Sequence, residues 1–194
     1  NLQVFVRLRL TDYAKDEGVE REVVNWRRHQ SFDDFTMYDD IALIMLNESI
    51  PHEVAKPIQL SKADTLQATE NPISTTVVGW GSLDEGCLVF GTALREATLP
   101  MASNSTCQTP GSEAVKSSQD FDSSRQICAG SYLDLSARYP GCGDSGGPLV
   151  IKEGGNYTQV GFVSWTYGAP YPDIFTRISA YREWIDAAAV VMLL

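Results

Sequence analysis

Residues Asn1 to Leu10 alternate, with Leu2, Val4, Val6, Leu8 and Leu10 on one face, and this period of two recurs in short pieces along the whole chain. Apolar runs follow from Ile41 to Leu46, Ile73 to Trp80, Gly147 to Ile151, Gln159 to Trp165 and Asp173 to Ile178. Turn-rich stretches separate them, among them Thr109-Pro-Gly-Ser-Glu and Lys152-Glu-Gly-Gly-Asn. Such a chain folds as many short strands. Only the carboxyl end reads as a helix: Ser179 can cap it, Glu183 lies in its first turn, and Tyr181, Trp184, Ile185 and Ala188 share a face. The expected class is all-β, a barrel or sandwich with one terminal helix. No internal repeat or low-complexity tract is visible, and the Pro- and polar-rich stretch from Pro51 to Glu70 is the best linker candidate.

Charge and cysteine usage narrow the function classes. Fifteen Lys and Arg against twenty-five Asp and Glu give a net charge of −10, which argues against nucleic acid as the main partner because phosphate binding needs a basic face. The longest apolar run, Ala187 to Leu194, is eight residues and falls short of the ~20 a membrane helix needs. No signal peptide is visible at the amino end, where Arg7 and Arg9 interrupt the apolar stretch. Cys87, Cys107, Cys128 and Cys142 form no C-x-x-C pair, and His29 and His52 are the only imidazoles, so a zinc site reads poorly and no metal or cofactor is expected. Three sequons, at Asn47, Asn104 and Asn156, join the four cysteines in favouring an extracellular, disulfide-bonded and glycosylated protein over one with four reduced thiols.

Two segments carry chemistry. Gly143-Asp144-Ser145-Gly146-Gly147-Pro148-Leu149-Val150 exposes a serine hydroxyl among residues small enough for a substrate backbone to approach. The N–H groups of Gly143 and Ser145 could converge on an oxyanion there. A bare G-x-S-x-G also arises in an ordinary glycine turn, whereas the full octet is far more specific. Asp40-Ile41-Ala42-Leu43-Ile44 sets an acid directly before a buried strand. Alone that is a cap or turn residue; beside the octet it is a candidate for a buried carboxylate that orients a histidine.

With these motifs the sequence resembles the chymotrypsin/trypsin family of serine endopeptidases over its whole length. Gly79-Trp80-Gly81, Leu94-Arg-Glu-Ala-Thr-Leu-Pro with Ser103-Asn-Ser-Thr-Cys107, Cys128-Ala129-Gly130, Val163-Ser164-Trp165 and Phe175-Thr176-Arg177-Ile178 match family segments in the family's order. The resemblance implies two antiparallel six-stranded β-barrels, the first incomplete here, with residues 1–65 in the first and 66–194 in the second with its terminal helix. It implies Ser145 as nucleophile, Asp40 as the orienting acid, Gly143 and Ser145 as oxyanion donors, and Asp144 as the partner of a new amino terminus after zymogen cleavage. Ser164, Trp165 and Thr166 would pair with the substrate backbone as an added strand. Cys107 and Cys128 match a family disulfide; a Cys87–Cys142 bridge is expected from the missing usual partners of both cysteines and the expected proximity of their loops, the alternative being that either pairs with a cysteine of the missing first segment.

The departures are as informative. The family's Ala-Ala-His-Cys segment and its Ile-Val-Gly-Gly activation site are absent. His29 and His52 are expected to be surface-loop residues, so the general base is missing. A domain of this kind runs to ~200–250 residues, and the expectation is a chain lacking its first segment rather than a protein that lost its base. Thr75 and Ile151 stand where the family has a second cysteine pair. Pro140, or Tyr139 counting back from Ser145, holds the pocket-base position of trypsin-like members, and neither can pair with a cation. Asp173 replaces the glycine of the family's Pro-Gly-Val-Tyr-Thr, and Thr166 stands where many members have glycine and should narrow the entrance. The resemblance therefore implies a secreted, monomeric serine endopeptidase acting on polypeptides and open to protein inhibitors. The preference for Lys or Arg is weaker than trypsin's, and the alternative is a shallow pocket for small apolar residues. The competing functions are an inactive homologue that binds or inhibits a protein partner, and a non-proteolytic esterase that would also use Ser145.

Overall fold

The computed structural model describes residues 3–62, 66, 73–108, 121–134, 138–166 and 170–193. Leu2, the turn from Thr109 and most of the stretch from 63 to 72 lie outside the described residues, Thr65 at the expected domain boundary included.

The first sheet is built from β1 (Phe5–Leu8), β2 (Val19–Arg28) and β3 (Ala42–Leu46), antiparallel in that order. β2 is the strand that the apolar runs do not announce. Its sequence, VEREVVNWRR, alternates charge as much as hydrophobicity, and a bulge between Val23 and Asn25 breaks its period.

The second sheet carries the core. β4 (Gln59–Leu60), β5 (Ser74–Gly79), β6 (Arg95–Pro100), β7 (Gln126–Ala129), β8 (Pro148–Glu153), β9 (Asn156–Thr166) and β10 (Asp173–Arg177) are arranged β6-β5-β8-β9-β10-β7, with β4 parallel to β9. Met101 bridges Ala129, and the Gly130 N–H donates to the Pro100 carbonyl at 2.8 Å, so the sheet curls until its two ends meet. Val77, Ala97, Leu99, Ile127, Leu149, Ile151, Val160, Val163 and Phe175 fill it. Burying the Val, Leu, Ile and Phe side chains among them contributes roughly 1.5–3 kcal/mol each. Thr75 and Ile151, the positions of the absent cysteine pair, lie directly opposite each other, and buried Thr75 donates its hydroxyl to the Leu99 carbonyl at 2.7 Å. The β8–β9 hairpin turns through Gly154 (φ 56°) and Gly155 (φ 87°), the left-handed pair a two-residue hairpin needs.

Two helices follow from local signals. α1 (Asn104–Gln108) is a short one that the sequence reading did not anticipate; Ser103 Oγ accepts from the Thr106 N–H at 3.1 Å ahead of it. α2 (Arg182–Met192) is the expected terminal helix. Ser179 is not its cap. A 3₁₀ turn, Ile178–Tyr181, intervenes, and Tyr181 opens the helix without a side-chain cap. Tyr181 and Ala188 are buried, as the periodicity of that face requires.

Candidate active site

Ser145 lies in the turn that leads into β8. Gly143 (φ 91°) and Gly146 (φ 77°) adopt left-handed conformations there, so the glycines of the octet are conformational requirements. The turn is fixed at both ends: the Asp144 N–H donates to Gly141 O at 3.0 Å, Gly147 N–H to Asp144 O at 2.8 Å, and Gly146 N–H to Val163 O of β9 at 2.8 Å. Among the described residues, the Ser145 hydroxyl and the N–H groups of Gly143 and Ser145 have no hydrogen-bond partner, and Ser145 is exposed. The donors an oxyanion would need are thus unengaged.

Asp144 turns inward. Its carboxylate accepts from the Gly81 N–H and the Gly141 N–H, both at 2.8 Å. This explains Gly79-Trp80-Gly81: a Cβ at either glycine would collide with the Asp144 carboxyl. A cavity of about 570 Å³ opens beside Asp144 and is bordered by Arg95, Glu96, Arg138 and Tyr139.

Asp40 is half-buried just before β3, between Asp39 and the buried Ile41. Ser164 Oγ donates to its carboxylate at 2.6 Å and Thr176 Oγ1 to its carbonyl at 2.8 Å, so β9 and β10 hold it in place. Asp39 (φ 55°) accepts from Arg125 Nη1 at 3.1 Å and from the Tyr181 hydroxyl at 2.8 Å. Burial of the ring, and then that carboxylate, push the Tyr181 phenol well up. Arg125 also pairs with Asp122 at 2.9 Å and stacks over Tyr38.

Neither histidine reaches this centre. His29 was expected on a surface loop; it is half-buried, with its ring 5.5 Å from Tyr181 and 5.0 Å from Trp184, because α2 folds back onto the end of β2. His52 is exposed in the turn after Pro51.

A cleft of about 490 Å³ runs from Ser145 past Ser164, Trp165 and Thr166 to Pro140 and Asp173. Asp173 is only 3% exposed. Burial pushes its carboxyl up from 3.8 to about 7, opposed by a hydrogen bond from the Thr166 side chain, its cross-strand neighbour. Thr166 therefore holds Asp173 as well as standing at the entrance. Asp84, Glu85 and Tyr139 border the same cleft, and of these the sequence reading had considered only Tyr139. The signal that could have found the two acids is Cys87. It bonds to Cys142 and draws the loop that carries them onto the nucleophile turn. The second bridge joins Cys107 of α1 to Cys128 of β7. The sequon asparagines Asn47, Asn104 and Asn156 are all exposed, and Asn47 Oδ1 accepts from the Glu22 N–H at 3.1 Å.

A family model described as Trypsin matches residues 2–185. Over 186 residues the chain is 33% identical to Trypsin-1 of Astacus astacus, covering 92% of this chain and 73% of that protein. It is 33% identical over 177 residues to Serine proteinase stubble of Drosophila melanogaster, covering 88% of this chain and 21% of that protein. Against Trypsin alpha-4 of Lucilia cuprina it is 33% identical over 187 residues, covering 92% of this chain and 65% of that protein.

Proposed function

The chain belongs to the trypsin family, whose members are serine endopeptidases acting on polypeptides, and from that premise we propose that it supplies the nucleophile, the orienting acid and the specificity cleft of a secreted endopeptidase that works through an acyl-enzyme. The observation that carries this reading is Ser145: an exposed hydroxyl that, among the described residues, has no partner, beside two backbone N–H groups equally unengaged among them, on the edge of a cleft whose floor holds a buried carboxyl.

In the proposed reaction, Ser145 Oγ attacks the scissile carbonyl and the Gly143 and Ser145 N–H groups receive its oxygen. Asp40, held by Ser164, orients an imidazole that takes the serine proton and returns it to the leaving amine. His29 packs against Tyr181 and Trp184, and His52 is exposed in the turn after Pro51, so the 194-residue chain by itself is proposed to be nearly inactive. In triad enzymes of this family, loss of one member leaves about 10³–10⁴-fold over water. Asp144, facing the 570 Å³ cavity, is proposed to receive a new amino terminus on zymogen activation. Two disulfides and three exposed sequons support an extracellular location and glycosylation, and the protein is proposed to act as a monomer.

Asp173, closed off from water at the cleft floor, supports a preference for Lys or Arg before the scissile bond. The test is hydrolysis of peptide amides by the activated full-length protein: cleavage lost in Ser145→Ala supports the proposal, and cleavage retained in that variant ends it. An inactive homologue that binds a partner would cleave nothing in either form.

A further inference from the structure

We infer that Glu85 is a second specificity carboxylate of the cleft, held at its mouth by the Cys87–Cys142 bridge and favouring polypeptides that place an arginine or lysine side chain there. The inference rests on the endopeptidase reading above and deepens it. The loop from 82 to 90 is fastened to the nucleophile turn at several points. Cys87 bonds to Cys142, the Ser82 N–H donates to Cys142 O at 2.8 Å, and a Cβ at Gly141 would come within 2.5 Å of Ser82 O. Internally the loop is a small hairpin, with Ser82 bridging Phe90 and the Leu83 N–H donating to Val89 O at 2.7 Å. Its two acids do different things. The Asp84 carboxylate accepts from its own loop, from the N–H groups of Leu88 at 3.0 Å and Val89 at 2.7 Å. Glu85 is exposed, and one carboxylate oxygen accepts from the Tyr139 hydroxyl at 3.3 Å; among the described residues the other has no partner.

Glu85 therefore stands on the cleft wall shared with Ser145 and with the buried Asp173, oriented by a phenol and anchored by a covalent bridge. No lysine or arginine is among the described residues bordering that cleft; Arg95 and Arg138 border the neighbouring 570 Å³ cavity, which Glu85 also lines. The Tyr139 phenol reports the resulting field: burial raises it first, and Glu85, Asp173 and Asp84 raise it further. A cationic side chain entering past Ser145 meets Glu85 at the mouth and Asp173 at the floor. Glu85 is solvated, so its share is that of an exposed ion pair, about a 2–5-fold effect, and screenable by salt.

The experiment uses the full-length activated protein with Glu85→Gln, Glu85→Lys and the double variant Cys87→Ser/Cys142→Ser. The ratio of kcat/KM for paired peptides with Arg or Ala before the scissile bond is read beside fluorophosphonate labelling of Ser145. Glu85→Gln should lower the Arg/Ala ratio about 2–5-fold, Glu85→Lys should lower it further, and 0.5 M salt should shrink both differences, with labelling unchanged. The double variant should lose the same share as Glu85→Gln. A wild-type ratio in both Glu85 variants, with labelling intact, overturns the inference. A wild-type ratio in the double variant overturns the tethering role of the bridge. Failure of the unsubstituted protein to label removes the endopeptidase reading itself.

Discussion

Asp173 joins burial to chemistry at a single residue. Its carboxyl is 3% exposed and is raised from 3.8 to about 7, with burial as the larger cause. Between those values the folded protein holds a proton that the unfolded chain has released. This contribution to stability is full below pH ~4 and is lost as pH rises through 7, with a slope of at most ~1.4 kcal/mol per pH unit. Asp173→Asn should flatten that slope in denaturant titrations between pH 4 and 8; an unchanged slope would assign the titration to another group. In the cleft the same ionisation should make Lys and Arg preference grow from pH 6 to 8, and Asp173→Gly should abolish that growth in peptide-library profiles, leaving only the about 2–5-fold share of Glu85. A profile of small apolar residues throughout would contradict this. The sequence showed that Asp173 stood where a glycine was expected. It could not show the Thr166 hydrogen bond or the wall opposite, because both arise from contacts between segments far apart in the chain.

Elements with clean alternation were legible, and those without it were not. β3, β5 and β10 fall within the apolar runs and β8 and β9 overlap them; β5, β8, β9 and β10 bury apolar residues on a shared core. β2 was hidden by its charges and bulge; in β6 only Ala97 and Leu99 mark the buried face, and β7 has four residues, all buried, so that no alternation shows. The cap at Ser179 failed because tertiary packing pulled that residue into a 3₁₀ turn. At this scale the glycines of Gly79-Trp80-Gly81 make a firm prediction. Gly81→Ala forces the Asp144 carboxyl away from two N–H groups and should uncouple the nucleophile turn, slowing Ser145 labelling at least tenfold. Labelling at the wild-type rate would mean Asp144 does not support that turn. Cys107→Ala/Cys128→Ala should cost about 2–4 kcal/mol in denaturant unfolding, since the bridge constrains the unfolded chain and ties α1 to β7.

Across the whole molecule, the site depends on how the three-stranded sheet docks on the curled one. Asp39 and Asp40, which lead into β3, are gripped by Ser164 and Thr176 of the second sheet, by Arg125 just before β7 and by Tyr181 of the 3₁₀ turn. Arg125→Ala should leave the Asp39 carboxylate with Tyr181 alone and lower stability by about 1–3 kcal/mol. Near-UV circular dichroism through a urea titration would show whether both sheets still melt together. The motif order made this architecture readable from the sequence, whereas the grip on Asp39 was not, because Arg125 lies 86 residues away. The central claim is that Ser145 is the nucleophile. Treating the activated full-length protein with a fluorophosphonate and mapping the adduct by mass spectrometry tests it most directly. The account predicts a label on Ser145 that disappears in Ser145→Ala, with weak or no labelling of the 194-residue chain alone; an activated protein that stays unlabelled, or is labelled elsewhere, would contradict it.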